Sequence, residues 1–190
     1  ETGFDPAQTN DLYSRTVTAH IFEAPYRYDH LARPPRIRPN TALAMPEVSA
    51  DFKVWTFDIA RGVLFHEHPA FGGQPRELTV EDYIYSWKRF VDPAYKSPAA
   101  TEIQELGILG LAELRQAALD AKKPFDYDAP VEGLRAIGRY TLQIRLKEPR
   151  PRLIELLANN SQMGALAREV VKRHRDDIMA THQCVWWNPI

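Results

Sequence analysis

Cysteine is almost missing from this chain: Cys184 is the only one in 190 residues. No internal disulfide can therefore staple the fold, and thiol content neither requires nor excludes an oxidising compartment. No apolar run approaches the ~20 residues that a membrane-spanning helix needs, and no charged-then-apolar leader stands at the start. An excess of charge of one sign is missing too. Lys and Arg number 24 against 25 Asp and Glu, a net charge of −1, so nothing points to nucleic acid as a partner, and the run Lys172-Arg173-His174-Arg175 reads as a solvated helix end. There is no solenoid-length repeat, no low-complexity tract, no phosphate-cradling glycine loop and no Gly-x-Ser-x-Gly elbow. What is present is 44% hydrophobic and 26% charged sequence, enough to bury an ordinary globular core.

The densest local signal runs from Val48 to Pro93. Trp55, Phe57 and Ile59 alternate with Val54, Thr56 and Asp58, which predicts a strand with one buried face. Arg61-Gly62 then supplies a turn, and Val63 to Phe65 lies within hairpin distance, so a β-hairpin is expected over Lys53 to His66. Gly72-Gly73-Gln74-Pro75 suits a loop. Thr79 is expected to N-cap a helix, with Glu81 and Asp82 in its first turn and Thr-x-x-Asp approximating a capping box. Val80, Tyr83, Ile84, Trp87 and Val91 fall on one face of that helix, which Asp92-Pro93 ends.

Either side of this block the pattern stays mixed. A helix is expected between Asp11 and about Glu23 with Leu12, Val17, Ile21 and Phe22 inward, then a short strand near Tyr26 to Tyr28, because Pro25 cannot sit inside the helix. Arg33 to Pro39 reads as an extended linker or edge segment. Farther on come a helix near Ala112 to Ala121, a loop over Lys122 to Pro130, and strands at Gly133 to Ile137 and Thr141 to Leu146 turning at Gly138-Arg139-Tyr140. Pro149 and Pro151 lead into a helix carrying Leu153, Ile154, Leu156 and Leu157. Hairpins interleaved with helices predict an α+β layered domain.

Five ordered pieces of this sequence, namely residues 4–7, 22–26, 38–44, 140–149 and the turn-strand-helix around Arg61 to Trp87, make it resemble the peptide-binding family of periplasmic solute-binding proteins that feed ABC importers. The resemblance is collinear from about residue 4 to 175. It implies an α+β fold, part of a type II periplasmic-binding-protein-like lobe with β-hairpins and a mixed sheet flanked by helices. It also implies a binding protein rather than an enzyme, with no catalytic residues, no cofactor and no metal. Its partners would be a peptide or other small solute and the membrane subunits of an ABC transporter. Its location would be periplasmic or extracellular.

Such proteins close two lobes on their solute and are far longer, so residues 4–178 are expected to form an N-terminal lobe portion of a truncated receptor. Solute binding by this chain alone should then be weak or lost, since one lobe offers half the contacts. The start at Glu1 without Met reads as a processed or engineered end, with residues 1–3 as its scar. Residues 179–190 depart from the family pattern, whether as a native divergent end, a frameshifted or vector-derived end, or a truncation scar. Trp186-Trp187 there could plug a core edge or form a sticky patch, and an open apolar surface invites a homodimer. The rival reading is a secreted interaction module that uses the surface left open by the missing lobe.

By the resemblance, Gln8, Thr9, Asn10, Glu102 and Glu105 are the candidate ligand contacts, and the Asp5 to Ala7 strand end lies close to bound solute. A carboxylate there would pair with a peptide's ammonium or basic side chain; the alternative is that both glutamates are solvent-facing helix residues. In a strand, His66 and His68 of His66-Glu67-His68 would share a face and could tempt a zinc assignment, but without a third ligand the cluster reads as a solvated strand end. Trp55 and Trp87 read as core aromatics. Asn159-Asn160-Ser161 meets the N-glycosylation pattern, which matters only in a eukaryotic secretory pathway.

Overall fold

The computed structural model describes residues 3–174. Helix α1 (Leu12–Ile21) leads to a two-stranded ribbon of β1 (Tyr26–Asp29) and β2 (Arg36–Pro39). A four-stranded sheet follows in the order β3-β4-β6-β5, formed by Glu47–Val48, Val54–Asp58, Thr141–Arg145 and Leu134–Ala136. Helices α2 (Val80–Arg89), α3 (Ala100–Glu105) and α4 (Leu111–Ala121) fall between β4 and β5, and α5 (Leu153–Leu157), α6 (Asn160–Met163) and α7 (Arg168–Arg173) come after β6. The class is α+β. Every pairing between these strands is antiparallel, so the sheet expected to be mixed is antiparallel among the described residues. None of the described helices is long and apolar enough to cross a membrane.

Strand β4 has the buried face that its alternation predicts, with Trp55, Phe57 and Ile59 inward. Its neighbours are not the expected ones. One edge takes β3 and the other takes β6, with Trp55 opposite Ile144 and Phe57 opposite Leu142. With both edges occupied, no place remains for Val63 to Phe65. That segment instead pairs with residues 76–78, through Phe65 N–H to the Arg76 carbonyl at 2.9 Å and Leu78 N–H to the Val63 carbonyl at 2.8 Å. Gly62 makes the predicted turn at φ +76°, a conformation that favours glycine. Strands β5 and β6 form the hairpin read from Gly138-Arg139-Tyr140.

Helix α2 is the spine. Thr79 caps it through the expected box, with Asp82 Oδ2 accepting from the Thr79 N–H at 2.8 Å. Nine of its ten residues are buried, rather than one face of it. Each polar member has a partner that makes this tolerable. Ser86 Oγ donates to the Asp82 carbonyl at 2.7 Å and accepts from Leu166 N–H at 2.8 Å. The Tyr83 hydroxyl reaches Thr41 Oγ1 at 2.6 Å and the Glu23 carbonyl at 3.1 Å, and Trp87 Nε1 donates to the Met163 carbonyl at 3.2 Å. Both Trp55 and Trp87 are core residues, as expected.

Helix α1 keeps only half of its expected face, since Ile21 and Phe22 are buried as expected and the other two positions are not. Leu12 and Val17 point outward, and Ser14, Thr18 and Ile21 are buried. The small side chains let α1 lie close against α6. At Gly164, just past α6, an added Cβ would stand 2.5 Å from Phe22 Cβ, so the close approach requires glycine there.

Candidate functional site

The N-terminal segment forms a turn, not the strand end expected. The Asp5 carbonyl accepts from Gln8 and Thr9 N–H, both at 2.9 Å, and Asp5 Oδ1 accepts from Ala7 N–H at 3.0 Å. An Asp that bonds its own neighbours gives the backbone an alternative to a sheet ladder. The same carboxylate receives Arg89, the last residue of α2, through Nη1–Oδ1 at 2.9 Å and Nη2–Oδ2 at 2.6 Å. Arg89 is completely buried and lies over the Tyr95 ring at 4.4 Å. Burial opposes its charge, but Asp5 more than compensates and keeps the guanidinium pKa well above its ordinary value. Gln8 Nε2 then donates to the Tyr95 carbonyl at 3.5 Å. Arg89 is thus the hub that draws the 5–10 turn to the Pro93 to Tyr95 turn, just before Ser97.

Of the predicted contact residues, Asn10, Glu102 and Glu105 are exposed and Gln8 is half-buried. Thr9 is turned inward, its hydroxyl donating to the Pro6 carbonyl at 3.3 Å. Glu102 lies in the first turn of α3 and Glu105 at its end, where the Glu105 carbonyl accepts from Arg150. Both glutamate side chains therefore face outward, the arrangement common to a solvent-facing helix and to a ligand contact.

A cleft of about 700 Å3 opens elsewhere, between α2, the 127–136 segment and α7. Lys88 stands on its wall, its Nζ donating to the carbonyls of Tyr127 at 2.9 Å and Ala129 at 2.8 Å. Burial pushes the Lys88 ammonium below the ordinary lysine value. The Arg168 guanidinium lies 5.6 Å from the Tyr85 ring centre and 5.9 Å from that of Tyr127. It grips Asp128 through both terminal nitrogens, with Nη2–Oδ2 at 3.0 Å, and this hydrogen bonding holds the Asp128 carboxyl below the usual range. Burial raises the Tyr85 hydroxyl to about 12. Sequence reasoning missed this cleft and the Arg89 hub. Their only local signal is Lys88-Arg89 at the end of an otherwise apolar helix face.

The other candidates fall apart as sites. His66, Glu67 and His68 lie outside any strand, and His68 Nδ1 accepts from Ala70 N–H at 3.1 Å to cap a short 3-10 turn, Pro69–Phe71. Pro69 favours that turn over an extended strand end. Among the described residues no group of three or more His, Cys, Asp or Glu is placed to hold a metal ion. Asn159 caps α6, accepting from Ser161 N–H at 3.2 Å, and its Nδ2 donates to Gln162 Oε1 at 2.9 Å. Cys184, Trp186 and Trp187 lie outside the described residues.

The chain is thus an α+β body that carries Asn10, Glu102 and Glu105 outward on a turn and a short helix. The model of the bacterial extracellular solute-binding proteins, family 5 Middle, matches residues 36–178, and the chain belongs to this family. The periplasmic oligopeptide-binding protein OppA of Salmonella typhimurium is 31% identical over 172 residues, 90% of this chain and 28% of that protein. The periplasmic murein peptide-binding protein MppA of Escherichia coli is 33% identical over 155 residues, 82% of this chain and 25% of that protein. Among solved structures, Haemophilus influenzae OppA in complex with RPPGFSPFR matches with a TM-score of 0.72 at 26% identity, over 92% of this chain and 30% of that one. The Escherichia coli murein tripeptide binding protein MppA matches with a TM-score of 0.70 at 27% identity, over 92% and 30%. The chain thus spans roughly a quarter of the length of these curated relatives, 28% and 25%. These relatives are named for binding peptides, not for catalysis.

Proposed function

We propose that this chain is part of the peptide-receiving body of an extracytoplasmic receptor that serves an ABC importer, working in the periplasm or outside the cell. The observation that carries the reading is the collinear match over 90% of the chain to a protein named for oligopeptide binding. In this reading Gln8, Asn10, Glu102 and Glu105 offer polar contacts to solute, and the inward-facing Thr9 shapes the turn that presents them. Residues 4–178 form one lobe portion. The chain by itself binds peptide weakly or not at all, because a cleft that encloses its ligand needs both walls and each ~1.4 kcal/mol of lost contact is tenfold in affinity.

The test is a chimera in which residues 4–174 replace the matching segment of the Salmonella typhimurium protein. The expected result is a folded chimera that retains oligopeptide binding by calorimetry; a folded chimera that binds none overturns the reading. The 190-residue chain alone should show no shift in melting temperature with a pool of di- to pentapeptides, since only a ligand that binds the native state raises it.

A second reading, an interaction module acting through its open surface and including a homodimer, is favoured by the exposed apolar side chains of Leu12 and Tyr13 on α1, 76% and 74% exposed. Light-scattering mass decides it: twice the chain mass supports this reading, and a monomer removes the homodimer.

A further inference from the structure

The 700 Å3 cleft contains none of the residues assigned above to solute contact, and its size lies within the range of small-molecule sites, about 300–1,000 Å3. Its charges are unequally committed. Arg76 is taken by Asp82 and Glu169, and Glu132 by Arg145. Lys88, Arg135 and Lys172 enter no ion pair among the described residues, and Glu81 is the one lining acid in the same position. Counted whole, the lining carries five cations and five acids and so has no net charge, but Arg168, Lys172 and Lys88 all act on the Asp128 carboxylate and make that spot the one that suits an anion.

Its centre is already arranged for a carboxylate. Arg168, backed by the faces of Tyr85 and Tyr127, presents the planar fork that matches a carboxylate two-to-two. The carboxylate now in that fork belongs to Asp128, whose side chain is 75% exposed on a loop, against 31% for Arg168. An ion pair so exposed adds little stability, so exchanging Asp128 for an incoming carboxylate costs little. Lys88 spends two of its three N–H groups on the Tyr127 and Ala129 carbonyls, leaving one for the cleft. We propose that this cleft is a carboxylate-binding site in which Asp128 is a built-in stand-in, and that a small dicarboxylate binds by displacing it from Arg168 beside Lys88 and Lys172. Two carboxylates are preferred to one because Lys88 and Lys172, which enter no ion pair among the described residues, act on the same spot as Arg168.

The site stands independently of the receptor reading: the chimera reports on peptide held by two lobes, and this test uses the 190-residue chain alone with glutarate as probe. In low salt, glutarate should shift the backbone amide signals of residues 127–130 and 168–172, and the neutral isostere glutaramide should not. Asp128→Asn, which removes the stand-in, should tighten glutarate binding about tenfold. Arg168→Gln should weaken it by at least about tenfold, the scale of one charge-assisted hydrogen bond. Lys172→Gln, at the cleft rim, should weaken it less and supplies the comparison should Arg168→Gln fold poorly. The proposal is overturned if glutarate leaves these signals unmoved in both the native chain and Asp128→Asn. It is equally overturned if sodium chloride of equal ionic strength reproduces the shifts, or if both cation variants bind glutarate as the native chain does.

Discussion

Helices α1 and α2 are both ten residues long, yet they settle into the fold in opposite ways. Helix α1 turns Leu12 and Val17 to the outside and buries Ser14 and Thr18, while α2 buries Asp82, Lys88 and Arg89 together with its apolar residues. Apolarity alone predicts neither. In α1 the buried hydroxyl of Thr18 donates to its own helix, at the Arg15 carbonyl 3.1 Å away, and its small size lets α6 come near. In α2 every buried charge is met by a partner from another part of the chain: Arg76 for Asp82, the 127–129 carbonyls for Lys88, Asp5 for Arg89. Burial in this molecule follows the supply of partners.

The comparison is broken most sharply at Arg89. Arg89→Met leaves the Asp5 carboxylate buried without its cation and should cost about 3–5 kcal/mol, the usual result of removing one partner of a buried pair. Adding Asp5→Asn should restore part of the loss. Chemical denaturation of the two variants measures it, and equal stability of Arg89→Met and the native chain would mean that the pair is not the anchor of α2.

The next effect is set by pH. Tyr83 and Tyr85 on α2, with Tyr26 in the core and Tyr127 packed against it, have hydroxyls raised above the ordinary value of 10.0 by burial, Tyr85 to about 12 and the others further. A raised folded-state value means that folding favours the protonated form. Their contribution is complete below pH 10 and is lost as pH climbs from 10 through 12 and beyond. Phenolate absorbance should therefore rise in two stages, exposed tyrosines first and these four together with cooperative unfolding; a single smooth titration near the ordinary value would contradict it.

The smallest effect belongs to α1. Leu12→Ser with Val17→Ser should change the unfolding free energy by no more than about 0.5 kcal/mol, as for exposed positions generally. A larger loss, accompanied by a fall in solution mass, would mean that a second copy covers that face.

Much of the fold was legible because it is local. The Thr79 capping box, the alternation in β4 and β6 and the turn at Gly138 to Tyr140 each need only neighbouring residues, and each is present. The partner of β4 was not legible, since Trp55 pairs with Ile144 far along the chain and nothing within a hairpin's length marks that choice. The candidate contacts rested on resemblance, and the turn at Asp5 came from a side-chain bond that period and composition do not register. The cleft was hidden for a similar reason. Tyr85, Lys88, Tyr127 and Arg168 come from three separate segments, and Lys172 read simply as part of a solvated helix end.

The Asp5–Arg89 pair spans 84 positions, and Ala24 N–H reaches Asn160 Oδ1 across 136. Closing such long loops is entropically unfavourable until the body that receives them exists. During synthesis the turn at Asp5 must wait for α2, and the chain following α1 must wait for α6, so segments made earlier are held by segments made later. Until Arg89 has been made and α2 has formed, the 5–10 turn lacks the partner that holds it and stays open to proteases and chaperones.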